Sequence, residues 1–517
     1  MTSVLSSASP SKLFQHVLHL PPRLRQALYS TTTNASKPEI YDLVCVGGGP
    51  AGLSLISGLR SQISARRLRI ALIDSQDVTS PRAAWDENVY SNRCSSLTPA
   101  SVKFLKKIGA WDKIATSRVQ GYQGMEVWDG VSGSKISFDG LDSQQSLGVL
   151  DSLAEMIPGS RLSEIRRRYE TTEGDPRIVA NMCENQNLTS ALLQRLDEIA
   201  DIEILDKTKV ESIALGPEPE DQTGLNLSQW PIVTLPNARQ LAARLLVGAD
   251  GANSPVRSFA GIPSDGWDYG QHGVVATLRS NDSITDRGVA YQRFLPTGPI
   301  ALLPLPSGFH SLVWTLPIPL ASKLKSLDPV DFSRIVNAAF RLEVTDLTYL
   351  FEHLGEIDIQ DELSWRLQNS PPSKTGVPAT MPTISHAQEG SIASFPLRMR
   401  HASTYTGHRV VLIGDAAHTI HPLAGQGLNL GLADAQALAA RITDGLDHGM
   451  DIGSSWCLDG YNSDRWAANN AVMGVCDKLQ KLYSVSSGPV VGLRSLGLGI
   501  VDKMGPLKGA IMGAAGS

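Results

Sequence analysis

Residues 41–52 read YDLVCVGGGPAG. The apolar run Tyr41–Val46 passes directly into Gly47, Gly48 and Gly49, then Pro50, Ala51 and Gly52, with helix-permitting residues onward to Leu59. This order predicts a strand, a tight turn and a helix. Gly47 allows the turn, Gly49 lets the backbone approach a pyrophosphate, and Gly52 lets the helix pack on the strand. The phosphates would sit where the first helical N–H groups have no partner of their own. A second apolar run, Leu68–Ile73, ends in Asp74, 22 residues past Gly52. An acid at that point is placed to accept hydrogen bonds from the ribose hydroxyls of a dinucleotide.

Two further glycine-rich stretches follow, GADGANSPVR at 248–257 and GDAAHTIHPLAGQGLN at 414–429, about 200 and 160 residues further on in turn. Leu245–Val247 feeds the first, so Asp250 lies near the cofactor while Ser254 caps a helix and Pro255 suits its first turn. The buried-type run Arg409–Ile413 feeds the second and ends in Gly414 and Asp415. Asp415 can accept hydrogen bonds from a polyol such as ribityl. Beyond Pro422, the turn Gly425-Gln426-Gly427 opens a helix whose N–H groups can stabilise negative charge on a reduced flavin ring. Three stretches in this order are explained by one folded site gripping one extended ligand, FAD.

The bulk composition narrows the rest. At 517 residues the chain is too long for one simple core. A net charge of −5 and no large basic cluster exclude a nucleic-acid surface. The five cysteines, Cys45, Cys94, Cys183, Cys457 and Cys476, are far apart and read as small buried hydrophobes in a reducing compartment. His418 and His421 lack companions at ligand spacing, so no metal site is assigned. The first 38 residues hold Lys12, Arg23, Arg25 and Lys37, eleven Ser or Thr and no acid, with Leu13, Phe14, Val17 and Leu18 able to line one helical face. That composition fits a mitochondrial presequence; a disordered tail is the other reading. The C-terminal apolar region is interrupted by Arg494, Asp502, Lys503 and Lys508, which argues against a membrane span and leaves room for a membrane-surface contact.

The three glycine stretches resemble the signature segments of the single-component FAD-dependent aromatic hydroxylases. The segments between them, SNRCSSLTPAS (91–101), IGAWDKI (108–114), GYQGMEVWDGVSG (121–133), CENQNLTSALL (183–193), YQRFLPTGPIALLPL (291–305) and SFPLRMRHASTY (394–405), are similar to the UbiH-type ubiquinone-biosynthesis branch, and to its eukaryotic mitochondrial members. The similarity runs from Tyr41 to the C-terminus and breaks at about 141–178 and 366–390. It implies an α/β fold resembling p-hydroxybenzoate hydroxylase: a Rossmann-like FAD-binding domain interleaved with a β-sheet substrate domain, plus a C-terminal helical tail. It also implies that Gly47, Gly49, Ala51, Gly52 and Asp74 hold the ADP half of FAD, with Asp250 near the pyrophosphate. Arg93 and Asn185 would lie along the ribityl and pyrophosphate. For Arg93 a surface salt bridge is the alternative, and for Asn185 a helix N-cap. Gly414 and Asp415 would meet the ribityl, and the turn Pro422, Gly425, Gln426, Gly427 and Asn429 the isoalloxazine.

The implied activity is ring hydroxylation, at C5, of a polyprenylated 4-hydroxybenzoate or phenol through a C4a-hydroperoxyflavin. No side chain is assigned as catalytic. The implied partners are the substrate and O₂, ferredoxin and its reductase as electron donor, and other ubiquinone-biosynthesis proteins, at the matrix face of the inner membrane. No second complete dinucleotide fingerprint is present. A flavin-dependent prenyl reductase of the same fold and a non-catalytic FAD-holding subunit are the rival functions.

The domain boundaries that follow are a presequence at 1–38, an FAD-binding domain at 39–115, 179–265 and 396–450, a substrate domain at 116–178 and 266–395, and a helical region at 451–517. Val274–Leu278, Ala290–Phe294, Ile300–Leu305 and Ser311–Leu316 read as strands of the sheet over the flavin, with Phe294, Leu302, Leu303 and Trp314 as candidate pocket residues. Glu164–Asp175 reads as a solvated excursion and Gln368–Glu389 as a flexible loop. Arg465–Tyr483 reads as a helix with Trp466, Val472, Val475, Leu479 and Leu482 along it, followed by an apolar segment at 488–517.

Overall fold

A computed structural model describes residues 37–78, 85–86, 88–139, 177–199, 201–218, 226–281, 288–369, 375–422 and 425–484. The presequence up to residue 36, the excursion at Glu164–Asp175 and the apolar segment at 488–517 lie outside the described residues.

The strand Glu39–Val46 occupies the middle of the first sheet, between the parallel strands Gln240–Gly248 and Ile70–Ile73. Covered by neighbours on both faces, it reads as a continuous apolar run and not an alternating one. Val410–Leu412 adds in parallel beyond Gln240–Gly248, and Ile202–Leu205 beyond Ile70–Ile73. The register aligns Val46 with Gly248 and Ile73, and Gly248 with Leu412. All three glycine stretches and Asp74 therefore leave the sheet at one edge, the carboxyl ends of the strands, where open α/β sheets bind ligands. The helix Pro50–Arg60 buries Leu53, Leu55, Ile56 and Leu59 and lies close to the long helix Gln426–Asp447, where a Cβ at Gly58 would stand 3.2 Å from that of Ala439.

Among the described residues the second sheet has nine strands and includes each of the four strands expected from the sequence, in Ser264–Ser280, Val289–Leu295, Gly298–Pro304 (one residue short of Leu305) and Phe309–Pro317. Its alternation sorts the four candidate pocket residues onto two faces. Leu302 and Trp314 join one core with Phe332, Phe340 and Phe351, beneath helices at Ile318–Lys325, Pro329–Arg341, Val344–Glu352 and Ile359–Asn369. Phe294 is on the other side, stacked on Tyr483 at 4.0 Å, and Leu303 packs near Tyr122 and Phe309. Leu302 and Trp314 are thus core residues. The sequence reading missed these helices, although Pro329–Arg341 carries its signal: Asp328 caps it by accepting from Val330 N–H and Asp331 N–H, and Phe332, Ile335, Val336, Ala339 and Phe340 repeat at three and four.

Two other readings change. Part of the Gln368–Glu389 loop is built into the fold: Ile384–Ala387 pairs with Leu278–Ser280, and Ile384 exchanges two hydrogen bonds with the Asn337 amide at 2.7 and 3.0 Å. The C-terminal helix is longer, Ser455–Tyr483, and it leaves Val475, Leu479 and Leu482 exposed. Its packed face mixes Leu458, Tyr461, Met473 and Tyr483 with Asn469, Asp477 and Gln480, each of the last three hydrogen-bonded outside the helix, so apolarity alone does not mark the buried side.

A small third sheet, Cys94–Leu97, Ala180–Glu184 and Val119–Tyr122, bridges the two large ones. At its end Arg118 and Glu184 form a buried two-point ion pair, at 2.7 and 2.8 Å. Arg118 also donates to the carbonyls of Asp86 and Val89 and lies 3.8 Å from the centre of the Tyr90 ring. Removing one member of a buried pair strands the other charge in a low dielectric. Glu184→Gln is expected to lower the unfolding free energy by about 3–5 kcal/mol, read from urea denaturation.

Candidate functional site

The three glycine stretches form one junction. A Cβ on Gly47, which has φ +112°, would fall 2.1 Å from the Ala249 carbonyl oxygen, and one on Gly52 would fall 2.1 Å from the Gly47 oxygen. No side chain fits at either point. Ala249 N–H donates to Val46 O at 2.8 Å, and Ile413 N–H to Gly248 O at 2.9 Å. Gly414, at φ +59°, faces Ala51 and Gly431, while Arg257 ties the second stretch to the third by donating to Ala416 O at 2.7 Å. Beside Gly49 and Gly251 the space where a Cβ would stand is open.

The acidic residues differ in their surroundings. Asp74 accepts from Gly48 N–H at 2.5 Å and Gln76 N–H at 2.7 Å, which holds it under the first turn. Asp250 accepts from Val256 N–H at 3.2 Å, but its Oδ1 is buried without a partner, and burial raises its carboxyl above the usual range. Asp415 is crowded by protein, which pushes its carboxyl up, yet its side chain still presents an accessible surface. A crowded side chain with open surface lines a cleft. Both carboxylates lack the donors that a ligand with hydroxyl groups would bring.

Arg93 and Asn185 are brought side by side, since Asn185 N–H donates to Arg93 O at 2.9 Å across the small sheet. The Arg93 side chain is exposed and is in no ion pair among the described residues. Asn185 opens the helix Asn185–Ile199, and its Oδ1 accepts from Ser95 Oγ at 2.6 Å. Pro422 precedes Gly425, which caps Gln426–Asp447 at φ +60°, with Gln426 and Gly427 as the first two helical residues. Asn429 spends its amide inside the protein. It accepts from Thr98 N–H and Ser101 Oγ and donates to Ser96 O, fastening the helix to the small sheet. His421 is buried, neither ring nitrogen has a hydrogen-bond partner among the described residues, and burial lowers it to about 4.

One residue that ties the junction together escaped the sequence reading. Asp434, fully buried on the helix Gln426–Asp447, accepts from Gly414 N–H at 3.1 Å and from His418 Nε2 at 2.5 Å. Its other oxygen accepts from Arg465 Nε at 2.8 Å and Asn469 Nδ2 at 3.1 Å, both on the C-terminal helix. Asn469 continues to the Tyr405 hydroxyl, which contacts His401 at 2.7 Å. The signal was a single acid in the apolar run LNLGLADAQALAA. Burial alone would raise the Asp434 carboxyl; the His418 charge and the bonds from His418 and Arg465 outweigh it and hold it at about 2.

The comparisons with known proteins agree with this geometry. A sequence model of the family described as "FAD binding domain" matches residues 41–344 and 376–475. The mitochondrial ubiquinone biosynthesis monooxygenase COQ6 of Schizosaccharomyces pombe is 38% identical over 91% of this chain and 91% of its own length. Its Saccharomyces cerevisiae counterpart is 35% identical over 94% and 95%, and the human one 34% over 93% and 94%. The chain belongs to the COQ6 family of FAD-binding monooxygenases. Among solved structures, p-nitrophenol 4-monooxygenase PnpA of Pseudomonas putida superposes with a TM-score of 0.60 at 18% identity, covering 92% of this chain and 97% of that one. HpxO of Klebsiella pneumoniae, a mutant complexed with FAD, superposes at 0.55 and 15% identity over 90% and 98%. At such identities these two share the fold, the one expected from the sequence. The cofactor of the family is FAD, and the glycine cradle of this chain, with the spare acceptor capacity of Asp250 and Asp415, suits it.

Because Asp434 titrates lower folded than unfolded, its stabilisation is complete above about pH 4 and lost as pH falls toward 2. Wild type is expected to lose roughly 2 kcal/mol more than Asp434→Asn between pH 5 and 2. Denaturant unfolding across that range measures it, and parallel curves would remove Asp434 from this role.

Proposed function

We propose that this chain is a mitochondrial flavoprotein monooxygenase of ubiquinone biosynthesis that hydroxylates the ring, at C5, of a polyprenylated 4-hydroxybenzoate or phenol. The observation that carries the reading is the meeting of three glycine stretches at one sheet edge, in a chain with COQ6 relatives along nearly all its length. In this reading the Gly47–Gly52 turn and the N–H groups opening Pro50–Arg60 hold the pyrophosphate, with Ala51 beside it and Asp250 close by. Asp74 accepts from the adenosine ribose, Arg93 and Asn185 lie along the chain of the cofactor, and Gly414 and Asp415 receive the ribityl. Pro422, Gly425, Gln426, Gly427 and Asn429 shape the wall beside the isoalloxazine.

Bound FAD supplies the transfer of one oxygen atom from O₂ to the ring. The protein's part is to orient the phenol and keep water out, for which the sheet face carrying Phe294 under Tyr483 is suited. Electrons come from ferredoxin and its reductase. The enzyme works at the matrix face of the inner membrane beside other ubiquinone-biosynthesis proteins. Exposed Val475, Leu479 and Leu482, just ahead of the apolar segment at 488–517, support a peripheral contact. Among the described residues no helix is long and apolar enough to cross a membrane.

FAD-loaded protein given a prenylated phenol, a competent electron supply and ¹⁸O₂ is expected to yield product with one heavy oxygen. Addition of two hydrogens instead, or no product, would overturn the assignment. Asp415→Ala is expected to give folded protein without flavin absorbance; retention of full FAD refutes the ribityl role.

A further inference from the structure

His421 lies between the short strand His418–Thr419 and the turn that opens Gln426–Asp447, immediately ahead of Pro422, the first residue of the wall proposed for the isoalloxazine. It is 1% exposed, and neither Nδ1 nor Nε2 has a hydrogen-bond partner among the described residues. Buried polar atoms are normally satisfied, so two of them on one ring require an account. Burial lowers the ring to about 4, which keeps it neutral at ordinary pH. A neutral imidazole brings one N–H and one lone pair.

The groups around the ring are committed elsewhere. The strand Ser264–Ser280 pairs with Ala393–Ala402 as far as Asp268 opposite Arg398, and resumes at His272 opposite Pro396, so that Tyr269, Gly270 and Gln271 stand against Leu397 alone. An irregularity of this kind turns a side chain out of the strand's alternation, and Gly270 at φ +66° permits the bend. Tyr269 is thereby brought edge to face against His421, with ring centres 5.0 Å apart at 90°. Its hydroxyl proton goes to Asp477 Oδ1 at 3.1 Å on the C-terminal helix, and Asp477 Oδ2 accepts from Lys481 at 2.8 Å. Gln271 is held by the same helix, accepting from Gln480 Nε2 at 2.8 Å. Strand and helix together fix the place of the imidazole without using its nitrogens.

We propose that His421 receives the ring hydroxyl of the substrate, the lone pair of its imidazole accepting the phenol O–H. This role rests on the phenol-hydroxylase reading and adds a specificity-determining side chain to it. An uncharged ring has no charge to offer a carboxylate, and the aromatic Tyr269 beside it suits an aromatic ligand, so the hydroxyl is the group it selects. The same bond serves the chemistry. Drawing the hydroxyl proton outward enriches the ring carbons ortho to it, and C5 is ortho to the 4-hydroxyl. A site built to hydrogen-bond a hydroxyl rejects the same ring without one, because its buried polar atom is then left unpaired.

The test uses oxidised, FAD-loaded full-length protein, with binding read from the perturbation of the flavin absorbance and no turnover required. Two probes are titrated: 4-hydroxybenzoate carrying a short 3-prenyl chain, and the same molecule with fluorine in place of the hydroxyl. Wild type is expected to bind the phenol roughly tenfold more tightly than the fluoro compound. In His421→Phe that ratio is expected to fall to about one, and in His421→Gln, which keeps a hydrogen-bonding side chain, part of it returns. An unchanged melting temperature shows that each variant is folded. A ratio that stays at the wild-type value in both variants overturns the role, as does a wild type that binds neither probe or does not distinguish them. Loss of flavin from both variants, with the ratio unchanged in the fraction that keeps it, assigns the nitrogens to the cofactor and overturns the role as well. The hydroxylase reading is judged separately by ¹⁸O incorporation: heavy oxygen in the product with the two probes undistinguished leaves that reading standing and removes only His421.

Discussion

The parallel register of the central strands is the constraint on which the site rests. With Val46 level with Gly248 and Ile73, and Gly248 level with Leu412, four loops far apart in the chain emerge from one edge. A slip of one residue would turn every side chain of a strand to its other face. It would also part Gly47 from Ala249, whose close approach only glycine permits. The apolar runs that bury these strands on both sides therefore fix the position of the glycine turns as well as the core.

Alignment brings the turns together, and buried polar groups hold them there. Asp434 joins Gly414 and His418 of the third stretch to Arg465 and Asn469 of the C-terminal helix. Arg118 and Glu184 hold the segment leading to Arg93 against the strand leading to Asn185. A buried charge is tolerable only when every partner is in place. These two clusters therefore tie the turns at the sheet edge to distant elements: for Asp434, the last helix described.

The two sheets divide the labour. The first brings its glycine turns and the acids Asp74, Asp250 and Asp415 to one edge. The second turns one face to a helical core built on Trp314, Phe332 and Phe340, and the other toward Phe294 and the end of the C-terminal helix.

Local sequence determined the dinucleotide turn, the strands feeding it and the ligand class, because glycine at Gly47 and Gly52 and an acid at Asp74 answer requirements set within a few residues. It also announced four strands of the second sheet as short β-rich runs between turn residues. Only the tertiary structure decided which face each residue took: Leu302 and Trp314 went to the core, and Val475 and Leu479 to the surface, because the packed side of the last helix is held by polar bonds that hydropathy does not register. Asp434 acquired its role in the same way. A carboxylate in an apolar helix has no meaning by itself, and its meaning comes from donors 16 to 35 residues away in the chain that folding places on its two oxygens.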